Sequence, residues 1–167
     1  MGRDIELISE DVDISLFPGL VNITEWIEGF CVDRIHTPYD EDRCREIMSL
    51  ETSDTIHLDQ SECFAYAAAL MNYAGYLQKK VATLRSQYSW CEDGLNYVFA
   101  KSWLDYDKWM PAEVKKQAII SENTYAKTLN KIKIRIHAAI QLTEDECKDI
   151  KRRVVIFQDF GNSRRFQ

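Results

Sequence analysis

From Asp59 onward, apolar residues recur every three or four positions for more than forty residues with no proline, and no other feature constrains the fold of this chain as much. The inward positions this spacing predicts are Tyr66, Leu70, Tyr73, Leu77, Val81, Leu84, Tyr88, Cys91, Leu95 and Val98. Their steps follow a coiled-coil rhythm with one extra residue near Leu77–Val81, an eleven-residue stretch that would locally straighten a left-handed supercoil. Asp59-Gln60-Ser61-Glu62 supplies a helix start, an N-cap followed three residues later by Glu. We therefore expect one helix over 60–103, or two nearly collinear helices broken near Gly94, since each helical glycine costs about 1 kcal/mol against alanine. Unbroken, roughly 44 residues at about 1.5 Å each span about 66 Å. A compact chain of 167 residues has a radius of gyration of about 15 Å, so such a helix must project or meet a partner.

The rest of the chain reads as follows. Residues 1–58 form an irregular acidic arm, with a Phe17-Pro18-Gly19 turn signal. Within it, a short helix or strand over 23–32 would turn Trp26, Ile27 and Phe30 inward. A short helix is expected from Thr37-Pro38, with Pro at its first position, to about Ser49, and residues 50–58 are a connector. Residues 59–167 form the helical body. Met110-Pro111-Ala112-Glu113 begins a helix whose apolar face is Val114, Ala118, Tyr125, Leu129, Ile132, Ile136 and Ile140. Thr143-Glu144-Asp145-Glu146 has the form of a capping box opening a last helix, with Ile150, Val154 and Phe157 on one face and Gly161 at its end. The expected class is mainly α, a long central helix packed against C-terminal helices, with the arm irregular.

Charge divides this organisation. Residues 1–62 carry 16 Asp/Glu against 4 Lys/Arg, and residues 63–167 carry 11 against 17, so −12 faces +6. Such asymmetry points to a polyanion partner for the basic part, or to an arm folded against a basic body. Lys127, Lys131 and Arg135 fall on one helix face; Lys148, Lys151, Arg152 and Arg153 cluster further on, and Arg164 and Arg165 follow. Each phosphate such side chains neutralise releases a counterion, so these nine residues are the candidate nucleic-acid contacts. Phe157, Phe160 and Phe166 are candidates to stack bases if they face solvent. The alternative is that the charges merely solvate a helix face and Phe157 belongs to the core.

No phosphate loop, nucleophile elbow or metal-protease motif is present, and His36, His57 and His137 are scattered. Asp105, Asp107, Glu113 and Lys115 imitate the acids and lysine of a metal-dependent nuclease, but a helix junction would not converge them, and Glu113 suits a first turn. Cys31, Cys44, Cys63, Cys91 and Cys147 have neither disulfide nor zinc spacing and read as buried thiols. We expect no catalysis, metal or cofactor. The start Met1-Gly2-Arg3-Asp4-Ile5-Glu6 lacks an apolar leader, and no run suits a spanning helix, so a cytoplasmic protein is expected.

Tyr76-Leu77-Gln78 in a long helix, Trp90-Cys91-Glu92 beyond it, a lysine-rich helix with Asn123, Tyr125 and Ala126, and the Arg164-Arg165 tail resemble the UvsY-type recombination mediators of tailed phages. The resemblance covers roughly residues 60–167 and lies in architecture; the acidic arm has no counterpart in it. It implies a mostly helical, self-assembling accessory protein that binds single-stranded DNA and works with a recombinase and a single-strand-binding protein. Tyr66, Leu70, Tyr73, Leu77, Leu84, Tyr88 and Leu95 are the expected interface between copies. The rival is a structural or adaptor protein, such as a virion or assembly component, whose long helix packs in a bundle without nucleic acid.

Overall fold

The computed structural model describes residues 18, 19, 21, 22, 25 and 39–164. The expected element over 23–32, apart from Glu25, with its Trp26, Ile27 and Phe30, and also Thr37, Pro38, Phe166 and Arg165 lie outside these residues. Among the described residues there are helices and no strand. The elements are α1 (Glu41–Ser49), α2 (Thr52–Thr55), α3 (Gln60–Ser102), a single 3₁₀ turn (Trp103–Asp105), α4 (Ala112–Glu122) and α5 (Thr124–Ser163). The chain is mainly α, with the long α3 packed against the C-terminal α5.

Local chemistry explains most boundaries. Asp40 caps α1 by accepting the Arg43 N–H at 3.0 Å, so the helix begins after Asp40 and not with Pro38 in its first position. α3 starts on the expected reciprocal box: Asp59 accepts the Glu62 N–H at 2.7 Å, and the Glu62 carboxylate accepts the Asp59 N–H at 2.8 Å. It then runs without a break through Gly75 and Gly94.

Three expectations are corrected in the C-terminal region. The helix begun at Ala112 ends at Glu122, and Asn123 starts a new one by accepting the Ala126 N–H at 3.0 Å. The Thr143–Glu146 sequence opens nothing, because α5 continues through it; Thr143 is buried, one of the positions α5 turns toward the core. Nor does Gly161 end the helix. It is buried within α5, where an added Cβ would come within 3.3 Å of the Cys63 Cβ.

Contacts divide the chain into two compact units, residues 1–29 with 83–140 and residues 30–82 with 141–167. In the second unit, α3 buries Cys63, Ala67, Leu70, Ala74, Leu77 and Val81 along its seam, with Tyr73 buried beside them, and α5 buries Thr143, Cys147, Ile150, Val154, Phe157 and Gly161. Both sets step by four and three, and the helices run antiparallel: Gly161 lies by Cys63, Phe157 by Tyr66, and Cys147 by Ala74. The extra residue expected near Leu77–Val81 vanishes once Ala67 and Ala74, rather than Tyr66 and Tyr73, are recognised as the seam. Cys44 and Ile47 of α1 complete this core. Phe157, fully buried, contributes roughly 1.5–3 kcal/mol through its burial.

In the first unit, α3 buries Cys91, Leu95 and Val98 and α5 buries Ala126, Leu129, Ile132, Ile136 and Ile140. Ile119 of α4 joins the buried set. Gly94 admits the fully buried Leu129: a Cβ there would lie 2.6 Å from Leu129 Cδ2. A Cβ at Gly75 would meet nothing within 4 Å. The two glycines therefore respond oppositely to alanine. Gly75→Ala should raise stability by about 1 kcal/mol through helix propensity. Gly94→Ala should lower it, because overpacking a filled core costs about 1–3 kcal/mol. Urea denaturation of both variants checks this, and equal shifts of one sign would contradict it.

Candidate nucleic-acid interface

Of the nine basic residues expected to form one interface, the eight that are described do different things. Arg153 turns back, donating to the Leu50 carbonyl with its guanidinium 5.3 Å from the Phe157 ring centre. Arg164 donates to the carbonyls of Thr55, at 3.3 Å, and Ile56. Both arginines thus hold the segment after α1, supplying its carbonyls with the donors that backbone N–H groups would supply in a continuing helix. Lys148 and Arg152 are exposed but paired to the acids one turn earlier, Asp145 at 2.7 Å and Asp149 at 2.8 Å. Lys151 is exposed. Residues 141–164 hold five Lys/Arg and five Asp/Glu, so this stretch presents no net positive charge. Of the three phenylalanines, Phe157 is core and Phe160 is half-buried.

Lys127, Lys131 and Arg135 belong to the other unit. Lys127 is exposed, while Lys131 and Arg135 are half-buried and make contacts of their own. Their i, i+4, i+8 spacing places them away from the buried Leu129, Ile132 and Ile136 on the same helix. Residues 83–140 carry nine Lys/Arg against six Asp/Glu, a balance of +3. Lys133 stands on another face, 2.9 Å from Glu92 and 5.1 Å from the Tyr88 ring centre.

A group missed in the sequence lies where α3 ends. Tyr97 is 61% exposed with the Lys101 ammonium 4.4 Å from its ring centre. Trp109 is 85% exposed, with Lys108 at 5.7 Å. Leu104, between them in the sequence, is 92% exposed. In the sequence, the alternation of Tyr97, Trp103 and Trp109 with Lys101 and Lys108 is the signal that could have marked these pairs. Trp103 differs, because its lysine, Lys115, is buried. That ammonium lies 4.8 Å from the Trp103 ring centre and donates to the carbonyls of Trp103 and Tyr106, each at 3.5 Å. The connector is further fixed by Asp107, whose carboxylate accepts the Trp109 N–H at 2.9 Å.

The nuclease-like quartet is dispersed among these structural tasks. Lys115 is buried, Asp107 caps the turn, and Glu113 pairs with Lys116 at 2.9 Å. Asp105 lines a shallow open pocket with Ser102, Tyr106, Ile119, Glu122 and Asn123. There the Tyr106 hydroxyl donates to Glu122 at 2.6 Å, which raises the phenol above its ordinary value. Among the described residues no group of three or more His, Cys, Asp or Glu is placed to hold a metal ion. Cys44, Cys63, Cys91 and Cys147 are buried free thiols, and burial pushes Cys91 up to about 11.

The stripe expected to join copies is largely covered from within. Leu70, Tyr73, Leu77 and Leu95 are buried in the single chain, and Tyr66, Leu84 and Tyr88 are half-buried. The antiparallel α5 supplies the cover that had been assigned to a second copy. No described helix is long and apolar enough to cross a membrane. No protein-family model, curated protein or solved structure matches the chain.

The Glu92–Lys133 pair makes the unit's stability depend on pH. The Lys133 hydrogen bond holds the Glu92 carboxyl below its usual range, against a smaller opposing effect of burial. Burial pulls Lys133 down, but the bond and charge of Glu92 outweigh it and leave the ammonium raised. A carboxyl depressed in the folded state stabilises above its unfolded value of about 4.3, and that contribution is lost as pH falls through the folded value. Lys133→Met should therefore lower stability at neutral pH and flatten its fall on the acid side. Thermal melts between neutral and acid pH check this; an unchanged acid limb would contradict it.

Proposed function

We propose that the chain is a non-enzymatic accessory protein that binds single-stranded nucleic acid through residues 83–140. The carrying observation is the distribution of charge: this stretch is net positive, with Lys127 exposed on α5 and Lys131 and Arg135 half-buried at the flank of its packed side. A backbone of phosphates rewards such an array through counterion release. The UvsY-type resemblance supports the same reading and extends it to a recombinase or a single-strand-binding protein as partner. Self-association belongs to that reading too, through a surface other than the stripe that α5 covers. Lys148, Lys151, Arg152, Arg153 and Arg164 leave the proposed interface, since most of them are engaged with acids or carbonyls.

The adaptor reading has its own support in that neutral stretch, which offers a polyanion little. Charge reversal separates the two. Lys127→Glu, Lys131→Glu and Arg135→Glu together should abolish binding to a labelled single-stranded oligonucleotide and leave the circular dichroism helical. Lys148→Glu, Lys151→Glu and Arg152→Glu together should change it less than about threefold. Wild-type affinity should fall steeply with salt, about one power of salt concentration per phosphate contact. Deleting residues 1–36 should tighten binding most at low salt, where the arm's carboxylates are least screened. No binding by full-length or truncated protein at low salt, with the fold intact, would establish the adaptor instead.

A further inference from the structure

We propose that Tyr97 and Trp109 form a base-stacking platform for single-stranded nucleic acid, with Lys101 and Lys108 as its phosphate partners; this rests on the reading of residues 83–140 as nucleic-acid-binding. Aromatic rings of this size bury 150–250 Å² when packed and are ordinarily drawn inside. Here one is 61% and the other 85% exposed, and both come from the same stretch of fewer than fifteen residues. Each carries an ammonium near its face, at 4.4 and 5.7 Å. Neither Lys101 nor Lys108 forms an ion pair among the described residues, whereas Lys116, Lys133 and Lys148 do.

A single strand presents that combination in complement, a flat base and an anionic phosphate alternating along the chain. Stacking on an aromatic ring tolerates any base, and the adjacent cation adds charge attraction to the phosphate. The platform is held ready. α3 carries Tyr97 and Lys101 in its last turns, and the connector bearing Trp109 is fixed by Lys115 on two carbonyls and by Asp107 on the Trp109 N–H. A backbone already held in place loses less freedom on binding than a loop that must be ordered. Trp103 marks the contrast, since its lysine is buried and serves the connector.

The test compares full-length protein binding to a fluorescein-labelled oligothymidylate, to an abasic strand of equal length, and to a duplex of the same sequence. The expected order is oligothymidylate first, with the abasic strand at least tenfold weaker. The Tyr97→Ala/Trp109→Ala double variant should lose at least tenfold on oligothymidylate and bind it no better than the abasic strand. Trp109→Phe, which keeps a ring, should stay within a few-fold of wild type, and Trp109 fluorescence should quench on binding. Equal wild-type affinity for thymidylate and abasic strands, or preference for the duplex, would overturn the platform. So would an unaffected double variant while the Lys127/Lys131/Arg135 reversal abolishes binding, and that result leaves the broader reading standing. Absence of wild-type binding to every strand at low salt overturns both, and leaves the exposed rings to a protein partner.

Discussion

Small side chains at the antiparallel seam of the 30–82 and 141–167 unit are the constraint from which the rest of that unit follows. Cys63, Ala67 and Ala74 on α3, with Cys147 and Gly161 on α5, keep the opposing surfaces low enough for large neighbours such as Leu70 and Phe157 to be fully covered. Close approach also lets thiols reach helical carbonyls: Cys147 donates to Ala74 and Cys44 to Ala69, both at 3.7 Å. The tyrosines are displaced to the flanks, where a hydroxyl finds a polar partner. Tyr73 donates to Glu146 at 3.2 Å, and its burial, with that carboxylate, pushes the phenol up to about 12. Tyr39 closes the edge by stacking on Tyr76 at 4.2 Å between ring centres.

The same fact explains what the sequence could and could not tell. Periodicity found α3, its start and its length, because the Asp59–Glu62 box and the absence of proline agree over many turns. It missed Ala67 and Ala74 in the seam, since tyrosine carries more apolar surface than alanine and drew the inward register by one residue, to the half-buried Tyr66 and to Tyr73, which is buried beside the seam. That shift created the apparent extra residue. The false helix start at Thr143 has a related cause. Thr-Glu-Asp-Glu can cap, but Thr143 is a buried position continuous with Ile140 and Cys147, and packing of α5 overrode the local signal. At Asn123 the reverse occurred. A side chain able to cap sits where the apolar pattern continues on both sides, so nothing in periodicity alone marks the break.

The basic residues were legible as a group and not as individuals, for reasons of side-chain chemistry. A guanidinium is a flat fork of donors, well suited to reaching several acceptors at once. Arg164 uses it on two successive carbonyls, and Arg153 on a carbonyl while covering an aromatic ring. Linear spacing cannot distinguish such an internal strut from a charge on the surface, because Arg153 and the exposed Arg152 are adjacent on α5 and only the first turns inward.

Lysine divides differently. Its compact ammonium on a flexible stem satisfies one acceptor at a time. Where a carboxylate stands one turn away, as for Lys116 and Lys148, the charge is neutralised locally. Where the nearest partner is an exposed ring, as for Lys101 and Lys108, the charge remains available to a second anion, because a ring's quadrupole attracts the cation without cancelling it. Lys115 shows what the fold does with a lysine it needs for itself: it buries the ammonium and gives it two carbonyls. Net charge alone would count all five alike. Sorted by partner, Lys101 and Lys108 are the two of them whose charge is left for an anion, and both stand beside rings the fold has left outside.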